Sequence, residues 1–99
     1  MSAAGRLGAI IPVLSPDCST RQLVDLAVRC EQLGYDAMYM PEAWGRDALV
    51  LCQAFAAATS RIEVGTAIVS LPVRTPAVVA MASATIDDLS GGRFTLGLG

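Results

Sequence analysis

Histidine is absent from the 99-residue sequence. Its absence excludes a Ser-His-Asp triad, a Cys-His pair and zinc sites with imidazole ligands, because each of these needs an imidazole nitrogen. Three cysteines are present without a CxxC pair, and we interpret Cys18, Cys30 and Cys52 as reduced, mostly buried thiols. We predict no metal site. Chemistry at this chain must therefore come from carboxylates, backbone groups or a bound cofactor.

Charge is also scarce, at 16 % of residues and a net −2. With no basic cluster, the sequence predicts no nucleic-acid surface. No apolar run reaches the ~18 residues of a membrane helix. The amino terminus lacks the pattern of a signal peptide, so we expect a cytoplasmic protein without a membrane partner. The 54 % hydrophobic content excludes disorder and is high for a self-contained domain, which indicates faces that pack against more protein.

Apolar runs and helix signals alternate along the chain. The sequence predicts strands over 7–13, 35–40, 61–69 and 94–98, and helices over 20–33, 48–59 and 76–89. Ser19 and Gln22 form a capping box for the first helix, Asp47 caps the second, and Thr75 caps the third. This β-α-β-α-β-α-β order predicts a parallel sheet with right-handed crossovers. Two architectures fit it, a small open doubly wound sheet and the first part of a (β/α)8 barrel.

Several segments together resemble a known family. They are PEAWGRDA (41–48), RIEVGT (61–66), RTP (74–76), LSGGRF (89–94) and LGLG (96–99). In this order they resemble the amino-terminal part of the bacterial luciferase-like monooxygenase superfamily, in particular its coenzyme F420 (deazaflavin)-dependent oxidoreductases. The resemblance implies an α/β fold in which residues 1–99 are a single partial domain, the β-α-β-α-β-α-β portion of a (β/α)8 TIM barrel.

The resemblance also implies a function for the parent barrel. It implies an oxidoreductase that transfers a hydride between coenzyme F420 and an organic small-molecule substrate, in a protein that forms homo-oligomers. The alternative within the superfamily is an FMN-dependent monooxygenase. A barrel of this kind takes about 250 residues, so we expect the 99-residue chain to be inactive alone. Two further alternatives are a non-enzymatic fragment that self-associates through open sheet edges and a small flavodoxin-like binding module.

Glu42 is the candidate catalytic residue. It follows the second strand, where the pocket of such a barrel lies, and relatives often carry an acid–base residue there, commonly a histidine after an aspartate. This sequence has Pro41-Glu42 instead. A carboxyl group held near neutral pKa by an apolar pocket can move the proton that accompanies hydride transfer. The alternative is a solvated glutamate or a salt-bridge partner of Arg46.

Five residues are candidates for cofactor binding. The resemblance implies that Trp44 walls the cofactor ring by stacking; the alternative is a hydrophobic cover. It also implies a non-prolyl cis peptide bond between Ala67 and Ile68, forming a bulge behind the ring, with Gly65 permitting close approach. Ser70 would contact the cofactor tail or phosphate. The alternative for this segment is a regular strand.

Overall fold

The computed structural model describes residues 5–99. Strands and helices alternate along this part of the chain, with a short 3-10 helix over Leu71–Val73 before the last α-helix. The elements are β1 (Gly8–Ile10), α1 (Thr20–Gln32), β2 (Ala37–Met40), α2 (Ala48–Ala58), β3 (Glu63–Thr66), α3 (Pro76–Leu89) and β4 (Phe94–Thr95). None of the helices within residues 5–99 has both the length and the apolar character needed to cross a membrane.

The sheet is parallel throughout, and its strands lie in chain order, β1-β2-β3-β4. In the register, Met38 pairs with Ala9 on one side and with Val64 on the other. A doubly wound sheet reverses its strand order at a switch point, and the described strands do not. The order therefore contradicts the doubly wound and flavodoxin-like alternatives and agrees with one side of a TIM barrel.

The three predicted helix starts are confirmed. The Ser19 hydroxyl accepts the Gln22 amide at 3.1 Å, and the Gln22 side chain accepts the Ser19 amide at 2.8 Å. Asp47 Oδ1 accepts two amides of the first turn of α2, at 2.9 and 3.1 Å. The Thr75 hydroxyl accepts a first-turn amide of α3 at 3.2 Å. Because each cap satisfies donors that the helix itself cannot, it fixes the residue at which the helix begins.

The strands are shorter than predicted. β1 ends at Ile10, two residues before Pro12, which has no N–H to donate to a ladder. β3 ends at Thr66, and the peptide bond between the next two residues, Ala67 and Ile68, is cis. The cis bond itself is the one that the resemblance implied, and the early end of β3 contradicts a regular strand over 61–69. Pairing between the third and fourth strand segments resumes only at a single bridge between Val69 and Leu98.

The core lies between the sheet and one layer of helices. Leu23 of α1, Phe55 of α2 and the alternate β2 residues Met38 and Met40 are fully buried in one cluster. Cys30 and Cys52 are buried and Cys18 is half-buried, all three as free thiols. Leu26 of α1 and Val78 of α3 are exposed, because α1 buries only Leu23, Ala27 and Cys30, and α3 only Val79 and Ile86.

Candidate functional site

A cleft of about 380 Å³ opens between the loops that follow β2 and β3. Its walls are residues 42–47 of the β2–α2 loop and Ser70, Val73 and Arg74 of the β3–α3 loop. The volume falls in the range of about 300–1,000 Å³ that is typical of small-molecule sites. The cleft is at the carboxyl end of the parallel strands, which is where TIM barrels place their active sites.

Among residues 5–99, Trp44 is the most exposed of the large hydrophobic residues, with 92 % of its surface accessible. It lines the cleft and also a second one of about 390 Å³, whose other wall is residues 13–16 of the β1–α1 loop. Within the described residues, the indole therefore covers little of the core. The indole is free to stack on a planar ligand in either cleft.

Glu42 is held by four hydrogen bonds and has only 6 % of its side chain exposed. The Arg74 guanidinium donates to both carboxylate oxygens, with Nη1 2.6 Å from Oε1 and Nη2 2.5 Å from Oε2. The amides of Ser70 and Ala48 donate to Oε1 and Oε2, each at 2.8 Å. The hydrogen bonds from Arg74, the largest influence, outweigh the opposing effect of burial and, with the two amides, lower the pKa of Glu42 to about 2.

The prediction that Glu42 has a near-neutral pKa is therefore wrong. Its carboxyl group is ionised at neutral pH, and both oxygens already accept two hydrogen bonds each. Its ion-pair partner is Arg74, not Arg46 as the alternative had it, and the residue is not a solvated loop glutamate. The chemistry of this carboxylate is that of a buried anchor for two loops.

Arg74 lies in the cleft wall, and the sequence analysis did not identify it as a site residue. Its Nη2 also lies 2.9 Å from Asp47 Oδ1, and its Nη1 donates to the Ser70 carbonyl at 3.3 Å. Hydrogen bonding to Glu42, followed by the contact with Asp47, raises the pKa of Arg74. The cleft arginine is thus neutralised by two carboxylates of the opposite loop.

Arg46 connects the β2–α2 loop to the β1–α1 loop. Its Nη1 donates to the carbonyls of Val13 and Ser15 at 2.6 and 3.1 Å, and Nη2 donates to the Cys18 carbonyl. Its Nε donates to the Thr20 hydroxyl at 3.2 Å. These bonds fix the loop that carries Trp44. A lone arginine in a glycine-containing loop gives no sequence signal for such contacts, because the carbonyls it satisfies are about thirty residues earlier.

The remaining candidates divide into two groups. Ser70 lines the cleft with its amide occupied by Glu42, so a ligand contact would come from its hydroxyl. Ala67 and Ile68 are exposed at the end of β3, outside the cleft wall. In this part of the chain, residues 5–99, no group of three or more metal-ligating side chains is present.

Gly65 is buried, and the close approach predicted there is made by the protein itself. A Cβ on Gly65 would lie 2.7 Å from the Thr95 carbonyl oxygen and 2.7 Å from the Tyr39 ring. Such distances are well inside van der Waals contact, so the position requires glycine. The prediction that glycine permits a close approach at this position agrees with the structure, but the approaching groups are Thr95 and Tyr39 of the protein and not a cofactor.

The profile of the luciferase-like monooxygenase family matches residues 6–99. The chain belongs to this family. A Mycobacterium tuberculosis relative named as a coenzyme F420-dependent oxidoreductase is 43 % identical over 75 residues, which cover 76 % of this chain and 22 % of the relative. The chain spans about a quarter of the length of the curated relatives that it matches.

Solved structures of luciferase-like enzymes give the same fold. The coenzyme F420-dependent tetrahydromethanopterin reductase of Methanopyrus kandleri superposes with a TM-score of 0.82 at 26 % identity, over 95 % of this chain and 26 % of that one. The oxygenating constituent of 3,6-diketocamphane monooxygenase of Pseudomonas putida, in complex with FMN, superposes with a TM-score of 0.78 at 28 % identity, over 95 % and 29 %. The prediction that the chain has the fold of one portion of a (β/α)8 barrel is confirmed.

Proposed function

We propose that this chain contributes the first part of the cofactor site of an oxidoreductase that transfers a hydride between coenzyme F420 and an organic small molecule. The observation that carries the proposal is the cleft at the carboxyl end of the sheet, with an exposed tryptophan on its wall. The 43 % identity to an F420-dependent relative supports the choice of cofactor.

The residues at the cleft fit a planar tricyclic ring. Trp44 supplies a stacking surface, Val73 an apolar wall and Ser70 a hydroxyl, and the volume suits a small-molecule group. Ala67 and Ile68, at the adjoining end of β3, are proposed as backbone and apolar contacts to the same ring. Gly65 is not proposed as a contact, since Tyr39 covers it. When bound, the deazaflavin supplies the hydride donor or acceptor.

Glu42 is not proposed as the proton donor, because its oxygens are committed to Arg74 and two amides. With a pKa of about 2 it carries no proton near neutral pH. The group that moves the proton accompanying hydride transfer is therefore outside the candidates in this cleft, and the substrate class is set by other parts of the parent barrel.

FMN is the second candidate cofactor, within a monooxygenase. The FMN complex of the Pseudomonas putida enzyme, at a TM-score of 0.78, favours it. FMN and F420 present rings of similar size and shape, so the same tryptophan and the same cleft serve either one. A test of cofactor choice must therefore offer both.

Homo-oligomerisation is proposed on exposed apolar surface. Val50 of α2 and Met81 of α3 are more than half exposed and line an outer groove between the two helices. Among the described strands, β1 and β4 pair on one side only, which is the geometry of the non-enzymatic alternative that associates through sheet edges. Light scattering tests both: a defined oligomer supports helix-face association, and polydisperse particles support edge association.

The function is tested by titrating the 99-residue chain with oxidised F420 and, separately, with FMN, following the fluorescence of the cofactor. Saturable F420 binding that weakens in Trp44→Leu supports the proposal. The control is Tyr35→Leu, which removes an aromatic ring at the opposite end of β2 and should leave binding unchanged. Binding of FMN alone would favour the monooxygenase, and binding of neither would overturn the proposed site.

A further inference from the structure

We infer that Glu42 is a positioning residue of the cofactor cleft, setting the spacing between the two loops that form its walls. The inference rests on the proposed function, because it concerns the same cleft. Glu42 lies in the β2–α2 loop and contacts three other points through one carboxylate. These are the amide at the start of α2, the amide of Ser70 and the guanidinium of Arg74.

The geometry of this cluster is that of a rigid clamp. A guanidinium fork on a carboxylate fixes both direction and distance, unlike a point charge on a flexible chain. The side chains of Glu42 and Arg74 are 6 % and 9 % exposed, so water does not screen their interaction as it does for surface pairs. Asp47 extends the clamp, because its Oδ1 caps α2 and also lies 2.9 Å from Arg74.

The clamp joins the two cleft walls directly. One wall is residues 42–47, and the other contains Ser70, Val73 and Arg74. Glu42 holds the second wall at two places, at the Ser70 amide and at the Arg74 side chain, which span the 3-10 helix Leu71–Val73. A ring stacked on Trp44 needs the facing wall at a fixed separation, and supporting contacts of this kind set how tightly a site binds.

If Glu42 had a purely structural role, loss of its contacts would lower the stability of the chain without a specific loss of cofactor affinity. Glu31 provides the matched comparison, because its carboxylate accepts the amides of Ser60, Arg61 and Ile62 at 2.6 to 3.3 Å. These amides precede β3, whereas the clamp lies after it, at the other end of the sheet. Replacing either carboxylate by an amide keeps one acceptor oxygen and leaves the donors to the other oxygen without an acceptor, but only Glu42 contacts the cleft walls.

The experiment compares affinities for F420 and for FMN in wild type, Glu42→Gln and Glu31→Gln, each at a temperature where circular dichroism shows the variant folded. We expect Glu42→Gln to weaken binding by about tenfold or more and Glu31→Gln by less than about twofold. Arg74→Lys keeps the charge but loses the fork. It should weaken binding to an intermediate degree, and it decides the question if Glu42→Gln does not fold.

The outcomes separate this inference from the proposed function. If wild type binds neither cofactor, the proposed function fails and the inference falls with it. If wild type binds a cofactor and both Glu42→Gln and Arg74→Lys bind it within about twofold of wild type, only the positioning role is overturned. Equal weakening by Glu42→Gln and Glu31→Gln would also overturn it, since the effect would then follow stability rather than the cleft.

Discussion

Replacing Glu42 by glutamine removes one charge from the clamp while nearly preserving the volume of the side chain. In the folded chain the pKa of Glu42 falls from an ordinary 4.5 to about 2, chiefly through its hydrogen bonds from Arg74. At ~1.36 kcal/mol for each unit by which the folded pKa lies below the unfolded one, we expect the ionised carboxylate to stabilise the fold by about 3 kcal/mol at neutral pH. Breaking a buried ion pair costs ~3–5 kcal/mol, and the remaining contact between Arg74 and Asp47 favours the lower end.

The pH dependence of this stabilisation has a definite sign. The folded pKa lies below the unfolded one, so the contribution is complete above about pH 5 and is lost as the pH falls from 4.5 towards 2. Glu42→Gln lacks the titrating group. The difference in unfolding free energy between wild type and Glu42→Gln should therefore be about 3 kcal/mol at pH 7 and should shrink steadily below pH 4.5.

The assay is urea unfolding followed by far-UV circular dichroism, because Trp44 is already exposed in the folded state and its fluorescence reports unfolding poorly. Asp25→Asn, which removes an exposed carboxylate from α1, is the control and should change stability by less than about 0.5 kcal/mol. A loss below about 1 kcal/mol for Glu42→Gln at pH 7 would refute the reasoning. So would an equal loss at pH 7 and at pH 3.

Three further substitutions or modifications test other parts of the structure. Gly65→Ala should lower the free energy of unfolding in urea by about 1–3 kcal/mol, because the added Cβ has no room. The control is Gly8→Ala, whose Cβ would meet nothing nearer than 3.7 Å and which should change stability little. Equal effects of the two substitutions would contradict the packing described. Arg93→Met should lower the free energy of unfolding by about 2–4 kcal/mol, because the Arg93 guanidinium donates to four carbonyls between the end of α2 and the end of α3. Unchanged stability would mean that water satisfies these carbonyls in the variant. Burial, and secondarily Asp47, raises the pKa of Cys52 to about 12, so iodoacetamide at pH 8 should label the half-buried Cys18 in the native chain long before Cys52, as read by peptide mass spectrometry. Modification of Cys52 at the same rate would show that the core opens.

The helix starts were predictable because their signals are local. Ser19, Asp47 and Thr75 each satisfy amides within three residues, so the sequence contains the whole interaction. The ends of the strands were not predictable in this way. β3 stops at Thr66 although apolar residues continue beyond it, because ladder pairing depends on partner strands that a local pattern does not specify.

The clamp formed by Glu42 and Arg74 could likewise be predicted from the sequence only in part. Position along the chain was enough to place Glu42 and Trp44 at the carboxyl end of the sheet. The pKa of Glu42 depends on Arg74, which is 32 residues later, and on two amides that only the folded loops bring within reach. A glutamate that follows a strand can therefore be placed at the carboxyl end of the sheet from sequence. Its pKa and its role depend on hydrogen-bond partners that only the folded structure brings close.

The central claim is that a flavin-type ring binds beside Trp44. The most direct test uses the single tryptophan of the chain, whose indole N–H gives one resolved signal in a proton–nitrogen correlation spectrum. On titration with F420, and in parallel with FMN, we expect this signal to shift and saturate with the same dissociation constant as the cofactor fluorescence. An indole signal that stays in place while a cofactor binds, or the absence of binding by both, would contradict the account.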